Sequence, residues 1–272
     1  MPLEHGVLPK FDLRGRVAVV TGGACGIGRA TALLLSHSGV RVFTGDIALH
    51  PVTSAEYAQF GIEERECDVC RLDQLQQLID EAATTAGRLD FLINNAGINL
   101  VGQVTEIEEA DWNRCLDTNL KAAFFGTKFA IPHLRRVGGG SIVNTASNAG
   151  LMPRAHDPVY SISKMALVGL TRSLALCHAN DRIRVNCVCP GPVAETRIMT
   201  DTLARENDAD AAARRYLKAS PLAEAHGRMI SPWEVAGAIV SLCADSSSMI
   251  TGTAVAIDGG KSLGIPPASS NS

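Results

Sequence analysis

The sequence has few aromatic side chains and no surplus of positive charge. Phe, Trp and Tyr make up 4% of its 272 residues, whereas 46% of the residues are hydrophobic. Small and aliphatic side chains must therefore fill the core, which is typical of parallel strands covered by helices. The formal net charge is −3. This balance argues against a nucleic-acid partner, because nucleic-acid-binding proteins present a basic face.

Long apolar runs are also missing. No stretch reaches the ~18 consecutive apolar residues of a membrane span, so no contact with a membrane is expected. The N-terminal segment lacks the charged and then apolar layout of a secretory signal peptide. We therefore expect a cytoplasmic protein whose eight cysteines are reduced thiols. Cys67 and Cys70 form a C-x-x-C pair, but a zinc site usually needs a second pair, so no metal is expected.

Short apolar runs alternate with helical patterns along the chain. One helical pattern follows the first run and ends at Gly39, and the last opens with a capping box at Ser231 to Glu234. The other helices are predicted at 71–86, 108–136 and 158–179, with the last extending over 231–243. The predicted strands are 17–20, 40–43, 62–67, 89–93, 141–144, 183–188 and 253–257. This alternation predicts an α/β fold with a doubly wound, seven-stranded parallel sheet flanked by helices.

We expect one domain over residues 1–262, followed by a flexible C-terminal tail at 263–272. Residues 195–230 interrupt the alternation, because they are helical in composition and lie between two predicted strands. An insertion of this length beside an α/β sheet is often a lid or a substrate loop. The alternative is a helical excursion on the surface with no role in binding.

A glycine-rich loop follows the first predicted strand and leads into a helix. Glycine lets the backbone turn sharply and approach a pyrophosphate closely, and the helix N-terminus supplies free N–H groups. Strand, loop and helix in this order predict a Rossmann-like dinucleotide site. The loop residues assigned to it are Gly22, Cys25, Gly26, Ile27 and Gly28.

Asp46 ends the second predicted strand, twenty residues after Gly26. A carboxylate there accepts hydrogen bonds from the adenosine ribose and repels a 2′-phosphate. Neither Cys25 nor the residues after Asp46, Ile47 and Ala48, bring a positive charge. These observations favour NAD over NADP. Taken alone, Asp46 could instead be a solvated loop carboxylate.

Tyr160 and Lys164 lie four residues apart at the start of a predicted helix, and this spacing places both on one face. A lysine ammonium nearby favours the phenolate form of a tyrosine. The pair alone is common on amphipathic helices. Here Ser147 follows the end of one predicted strand, where open α/β sheets carry their sites. Asn119 lies in a predicted helix, and the motifs Asn94-Asn95-Ala96-Gly97 and Pro190-Gly191 follow two other strands.

Taken together, these motifs resemble the short-chain dehydrogenase/reductase family over about residues 12–262. The resemblance implies an NAD-dependent oxidoreductase that interconverts a secondary alcohol and a ketone by hydride transfer. It gives Tyr160 the role of acid and base, and Lys164 that of holding the nicotinamide ribose and lowering the Tyr160 pKa. Ser147 would bind the substrate oxygen, and Asn119 would position a water in the proton relay.

The resemblance also implies further cofactor contacts. Asp68 and Val69 would flank the adenine, while the remaining positions are Ile47, Asn95, Ala96, Gly97, Pro190, Gly191, Val193 and Thr196. Two positions depart from the family pattern. Thr196 comes one residue late, so either the loop bulges or Glu195 takes the place of the threonine. Cys25 stands where a small hydroxyl is commoner, and we expect it to be a packed, inert thiol.

The substrate is less defined by the sequence. The predicted lining residues are Asn148, Leu151, Met152, His156 and Met199, with Arg154 and Asp157 as further candidates for contact with a polar substrate. They favour an apolar or ring-bearing secondary alcohol, and a sugar, a polyol or a 3-oxoacyl thioester is the alternative. Two other functions were weighed, an epimerase or dehydratase of the extended family form and a non-catalytic NAD-binding sensor or scaffold.

The resemblance further implies a homotetramer or a homodimer. In relatives, the helices that carry the positions of Asn119 and Tyr160 pair across subunits. Apolar residues of the two helices suit such faces, although they suit an intrachain core equally well. These residues are Ala123, Phe124, Ala130, Leu167, Leu170 and Leu174.

Overall fold

Seven parallel strands form the sheet at the centre of the molecule. The computed structural model describes residues 11–264. The strands are β1 (Val17–Thr21), β2 (Arg41–Asp46), β3 (Glu63–Glu66), β4 (Phe91–Asn94), β5 (Gly140–Thr145), β6 (Ile183–Pro190) and β7 (Ala254–Ile257). All neighbouring pairs are parallel. The predicted α/β class and the seven-stranded sheet are confirmed.

The order of the strands across the sheet is β3-β2-β1-β4-β5-β6-β7. The chain therefore builds outward from β1 in one direction, and after β3 it returns to place β4 on the other side of β1. In open α/β sheets, ligands bind at the carboxyl ends of the strands beside such a reversal. The loops that follow β1 and β4 thus define where a site is expected.

Helices cover both faces of the sheet. They are α1 (Gly26–His37), α2 (Pro51–Phe60), α3 (Leu72–Thr85), α4 (Glu109–Leu116), α5 (Ala122–Arg136), α6 (Pro158–Cys177), α7 (Arg197–Ala204), α8 (Ala209–Lys218), α9 (Pro221–His226) and α10 (Pro232–Cys243). On one face α1 packs against α10, and buried Leu34, Leu35 and Ile239 fill the core. On the other face α3 packs against α5, around Ile79 and Leu134. No helix among residues 11–264 is long and apolar enough to cross a membrane.

Helix α2 was not expected from the sequence. It buries only Thr53 and Tyr57, so it lacks the apolar stripe by which amphipathic helices are recognised. Its ends nevertheless carry a recognisable signal. Pro51 occupies the first turn, and Gly61 ends the helix in the left-handed region with φ +65°. Proline at the start and glycine just past the end mark a helix without any apolar periodicity.

The helix predicted over 108–136 is interrupted. A π-helical turn at Asp117–Lys121 separates α4 from α5. Such a turn inserts an extra residue into the helix and changes the direction of the side chains around it, often at functional sites. Here it directs Asn119 inward, where the residue is buried. Apolar periodicity cannot indicate this local change.

The insertion at 195–230 forms the three short helices α7, α8 and α9. It is attached to the end of β7, because the Leu222 N–H donates to the Gly259 carbonyl at 3.0 Å and the Ser220 hydroxyl donates to the Asp258 carbonyl. These bonds hold the insertion against the carboxyl edge of the sheet. The capping box predicted at the start of α10 is present. The predicted tail lies outside the described residues, except that Leu263 closes a short 3-10 turn.

Candidate active site

The glycine-rich loop between β1 and α1 is packed so closely that a Cβ atom has no room at two of its glycines. Gly22 has φ +67°, and a Cβ there would lie 2.8 Å from the Cα of Ala96. A Cβ on Gly28 would lie 2.0 Å from the Gly22 carbonyl oxygen. The loop is therefore restricted to glycine by contact with its own backbone and with the loop after β4. Helix α1 begins at Gly26 without a side-chain cap, so the first-turn N–H groups suit an anion.

Two side chains of α2 hold this loop in place, and neither was predicted from the sequence. The Tyr57 hydroxyl donates to the Gly23 carbonyl at 2.6 Å, and the Thr53 hydroxyl donates to the Ala24 carbonyl at 2.9 Å. Tyr57 is completely buried, and burial raises its pKa far above the usual value, so it remains a donor. The signal that could have found them is the i, i+4 pair on a helix bounded by Pro51 and Gly61.

Asp46 lies at the carboxyl end of β2, beside the glycine-rich loop. Its Oδ2 accepts the backbone N–H of Ala24 at 2.9 Å, which fixes the carboxylate against the loop. Ile47 follows it and is exposed. Cys25 is exposed, so the predicted packed position is wrong. Desolvation of its sulfur, and then the Asp46 charge, nevertheless raise the pKa of the thiol. Cys25 is therefore a neutral thiol at physiological pH and a poor nucleophile.

The loops after β3 and β4 also reach this edge. Beyond β3, the Asp68 carboxylate accepts the N–H of Cys70 at 2.9 Å, and Val69 is buried. Beyond β4, the Asn95 amide donates to the carbonyls of Thr21 at 3.1 Å and Gly22 at 3.0 Å. Asn95 thereby joins the loop that contains Ala96 to the glycine-rich loop.

Asn119 clamps the chain where it leaves β4. Its Oδ1 accepts the N–H of Ile98 at 2.9 Å, and its Nδ2 donates to the Ile98 carbonyl at 3.0 Å and to the Ser163 hydroxyl at 3.0 Å. A Cβ on Gly97 would lie 3.2 Å from Asn119 Oδ1 and 3.3 Å from Lys164 Nζ. Gly97, Asn119 and Lys164 are thus in close contact, although they come from three separate segments.

Tyr160 and Lys164 lie in the first turns of α6, and both are buried. The Lys164 ammonium is 5.8 Å from the centre of the Tyr160 ring and donates to the Thr145 carbonyl at 2.9 Å. Ser147, at the end of β5, accepts the N–H of Ala149 at 3.1 Å. The Ser147 hydroxyl donates to Asn148 Oδ1 at 3.2 Å and lies close enough to the Tyr160 phenol to lower its pKa. Three of the four predicted catalytic side chains therefore meet at the carboxyl edge of β5.

Burial controls the ionisation of this group. It raises the pKa of Tyr160, and the hydroxyl of Ser147, followed by the charge of Arg154, opposes that shift. Burial lowers the pKa of Lys164 to about 8. Tyr160 is therefore a protonated phenol at neutral pH, and Lys164 carries its charge below about pH 8. The site is arranged as a proton donor whose conjugate base is stabilised by nearby donors and cations.

The loop after β6 shows how the chain accommodates a threonine that comes one residue later than in the family pattern. Glu195 adopts the left-handed conformation with φ +57°, which absorbs the extra residue as a bulge. Thr196 then caps α7 by accepting the N–H of Met199 at 3.3 Å. The Thr196 methyl group lies 3.1 Å from where a Gly26 Cβ would be. Of the two alternatives, the loop bulges, and Thr196 rather than Glu195 lies against the glycine-rich loop.

The other predicted residues of this loop surround the bulge. Pro190 ends β6, and the Gly191 N–H donates to the Ile257 carbonyl at 2.9 Å. Val193 is buried and pairs with Ile230 in an isolated bridge. These contacts connect the carboxyl ends of β6 and β7 to the start of the insertion.

The predicted substrate-lining residues have different environments. Asn148 and Met199 are buried, Met152 is half-buried, and Leu151 is exposed. His156 is exposed and its Nδ1 lies 3.1 Å from the Gln103 side-chain nitrogen, so it packs against a neighbouring loop. His156 therefore has a structural contact, and of the three apolar candidates only Leu151 is exposed.

Comparison with known proteins agrees with this geometry. The family model described as short chain dehydrogenase matches residues 16–207. A 3-oxoacyl-(acyl-carrier-protein) reductase of Thermotoga maritima is 35% identical over 91% of this chain and 98% of its own. A cis-4-hydroxycyclohexanecarboxylate dehydrogenase of Sinomonas cyclohexanicum is 36% identical over 90% of this chain and 96% of its own.

A solved structure agrees as well. The ligand-free aldohexose dehydrogenase of Thermoplasma acidophilum has a TM-score of 0.86 and 33% sequence identity, and the match covers 97% of this chain and 100% of that one.

Proposed function

The chain belongs to the short-chain dehydrogenase family, and we propose that it transfers a hydride between NAD and a secondary alcohol or ketone, with Tyr160 as acid and base. The family assignment makes it an oxidoreductase that uses a nicotinamide cofactor. The observation that carries the finer proposal is that Tyr160, Lys164 and Ser147 converge beside the glycine-rich loop. A proton donor, a cation and a second hydroxyl thus lie at the same carboxyl edge of the sheet as the loop that would bind the dinucleotide.

The residues present fit a dinucleotide. Gly22, Gly26 and Gly28 leave the backbone bare, and the uncapped start of α1 supplies N–H groups for a pyrophosphate. Asp46 supports NAD over NADP, because a carboxylate held at the end of β2 repels a 2′-phosphate. Thr196 lies against the other side of the loop and would contact the cofactor there.

The nicotinamide ring supplies the hydride acceptor for oxidation and the donor for reduction. In oxidation, Tyr160 takes the proton of the substrate hydroxyl as the hydride leaves the carbinol carbon. Ser147 donates a hydrogen bond to the same oxygen and stabilises the charge that develops there. Lys164 holds its ammonium near the phenol and favours the phenolate. Asn119 would position a water in the proton relay, and its observed clamp on Ile98 keeps that region fixed.

The direct test is a spectrophotometric screen of the purified protein for NADH or NADPH formation and consumption. The panel holds secondary alcohols, polyols, sugars and 3-oxoacyl thioesters, each with both cofactors. Turnover of a secondary alcohol or its ketone with NAD supports the proposal. NAD binding without turnover of any substrate would contradict it and favour the non-catalytic sensor.

A ring-bearing alcohol is the proposed substrate within this class. We infer that Leu151, Met152 and Met199, which the sequence predicts to line the substrate site, supply its apolar surface. The Sinomonas relative, whose name gives a cyclic hydroxycarboxylate as substrate, supports the same class. The second candidate is a 3-oxoacyl thioester, which the Thermotoga reductase supports by its name. Comparison of both substrates in the screen separates the candidates.

Tyr57→Phe is expected to weaken NAD binding without removing catalysis. The variant loses the donor to Gly23 and leaves that buried carbonyl unpaired, so the glycine-rich loop is held less firmly. A net hydrogen bond is worth roughly 0.5–1.5 kcal/mol, so the dissociation constant should rise about 3- to 10-fold. Calorimetric titration with NAD measures the change. Tyr216→Phe, on α8, is the matched control, and equal affinity of the two variants would contradict the assigned role of Tyr57.

We also propose a homodimer or homotetramer assembled through α5 and α6. A groove of about 430 Å³ on this side is lined by Leu116, Leu120, Lys121, Phe124, Phe125, Ala166 and Leu170. Of the apolar residues considered for such a face, Ala123, Ala130 and Leu167 are buried within the chain. Phe124, by contrast, is 45% exposed, so its side chain is available for contact with a second copy of the chain.

Phe124→Asp is expected to convert the assembly into monomers. The substitution places a charge in the centre of the apolar groove, where a paired helix would have to desolvate it. Light scattering after size-exclusion chromatography measures the mass of the wild type and the variant. Val52→Asp, an exposed apolar residue on α2, is the matched control. A monomeric wild type, or a variant of unchanged mass, would be evidence against assembly through this face.

A further inference from the structure

Arg154 lies beside the catalytic tyrosine and has no role in the mechanism above. It belongs to the loop between Ser147 and α6, and its guanidinium carbon is 5.6 Å from the centre of the Tyr160 ring. Its side chain is 32% exposed, so it is open to a ligand while still partly desolvated. A substrate bound at the Tyr160 phenol would lie close to this guanidinium.

The ion pair of Arg154 is only partly formed. Its Nη1 lies 3.2 Å from Oδ2 of buried Asp157. The contact is electrostatic and lacks hydrogen-bond geometry, and among residues 11–264 no hydrogen bond from the Arg154 fork is found. The other carboxylate oxygen of Asp157 is buried without a partner in the same part of the chain. Asp157 thus partly neutralises the Arg154 charge, while the N–H donors of the guanidinium stay available to another acceptor.

A second cation lies near Arg154. Burial lowers the pKa of Lys261, the charge of Arg154 lowers it further, and the charges of Asp258 and Asp157 oppose that shift. The carboxylate of Asp258 accepts the N–H groups of Gly260 and Ser262, each at 2.9 Å.

We propose that Arg154 binds a carboxylate on the substrate, so that the enzyme acts on hydroxycarboxylates and oxocarboxylates in preference to neutral alcohols. This inference rests on the proposed function. The fork of an arginine matches a carboxylate and donates two parallel hydrogen bonds. Because the Arg154 guanidinium carbon lies 5.6 Å from the centre of the Tyr160 ring, the carboxylate belongs on a substrate whose alcohol carbon contacts the same tyrosine.

The test compares two ring alcohols that differ only in the carboxylate, cis-4-hydroxycyclohexanecarboxylate and cyclohexanol. The readout is the ratio of their kcat/KM values, which cancels any loss of folded enzyme. In the wild type the ratio favours the carboxylate. In Arg154→Gln it falls roughly 10- to 100-fold, as expected for the loss of a charge-assisted hydrogen bond. Arg154→Lys gives an intermediate ratio, because it keeps the charge and loses the fork.

Arg172→Gln is the matched control, since Arg172 is an exposed arginine on the same helix as Tyr160. Its ratio equals that of the wild type. An unchanged ratio in Arg154→Gln overturns the inference. A shift in the pH profile of Arg154→Gln with an unchanged ratio overturns it as well, because it restricts Arg154 to an effect on the phenol.

A binding measurement decides the question without turnover. Calorimetric titration of the protein with cyclohexanecarboxylate, in the presence of the oxidised cofactor, measures the carboxylate contact alone. The expected result is an affinity at least about tenfold weaker in Arg154→Gln. Equal affinity in both proteins, or no binding to the wild type, overturns the inference. Loss of the proposed function is distinguishable, because it shows as absence of turnover with every alcohol while this titration still reports on Arg154.

Discussion

Tyr160→Phe is expected to lose most turnover while NAD binds almost as in the wild type. In the proposed mechanism the phenol exchanges a proton with the substrate oxygen, and positioned acids and bases contribute roughly 10²- to 10⁴-fold to rates. We therefore expect kcat to fall by about that factor. The ring itself remains, so the packing of the buried position and the contact with Arg154 persist.

The measurement combines steady-state kinetics with the dissociation constant of NAD. Tyr216→Phe removes a hydroxyl from α8, outside the catalytic group, and controls for the loss of any phenol. The chain has three tyrosines, so together with Tyr57→Phe each one is tested separately. A Tyr160→Phe enzyme with nearly normal kcat would refute the assignment of the acid and base.

The same variant should lose a pH dependence. Burial raises the pKa of Tyr160, so the phenol is protonated at neutral pH. Reduction uses this proton and should be faster on the acid side, whereas oxidation needs the phenolate and should accelerate as pH rises. The residual rate of Tyr160→Phe should lack this rise. A profile with the same alkaline limb in the variant would show that another group titrates.

The sequence predicted the sheet well because six of its strands are apolar runs followed by loops with recognisable glycine, asparagine or proline. The place of Ser147 follows from the same pattern, since parallel strands bring their carboxyl ends to one edge, whereas the catalytic roles of Tyr160 and Lys164 come from the family resemblance and stay predictions. The features that could not be predicted from the sequence depend on contacts between residues far apart in the chain. Tyr57 supports the glycine-rich loop from a helix without apolar periodicity, and nothing in its local sequence indicates the Gly23 carbonyl as its partner.

Irregularities of the backbone could not be predicted for a different reason. The π-helical turn at Asn119 and the left-handed Glu195 are each single-residue adjustments inside segments that otherwise follow their predicted pattern. A left-handed non-glycine residue costs about 1–3 kcal/mol, which surrounding contacts and not local preference must offset. The α5 and α6 faces were ambiguous for a third reason. Both sides of these helices carry apolar residues, and only packing shows that Leu167 is internal and Phe124 external.

Asp46→Asn is expected to change the choice of cofactor. The variant can still accept the N–H of Ala24 through its amide oxygen, so the glycine-rich loop keeps its shape. It removes the negative charge that repels a 2′-phosphate and weakens the hydrogen bonds to the ribose of NAD. Hydrogen bonds to charged groups are worth about 1.5–3 kcal/mol, so kcat/KM with NAD should fall roughly 10- to 100-fold while kcat/KM with NADP rises.

The ratio of the two kcat/KM values, measured with one alcohol, is the readout, since it cancels any loss of active protein. Asp245→Asn controls for the change of net charge, because Asp245 is an exposed residue that pairs with Arg16 at the opposite edge of the sheet. Ionic strength distinguishes repulsion of the 2′-phosphate from a structural role of Asp46. Repulsion by a partly exposed carboxylate is screened as ionic strength rises. The NADP penalty of the wild type should shrink in high salt and that of the variant should stay nearly constant. A wild type that prefers NADP, or an Asp46→Asn ratio equal to that of Asp245→Asn, would mean that Asp46 holds the glycine-rich loop and takes no part in choosing the cofactor.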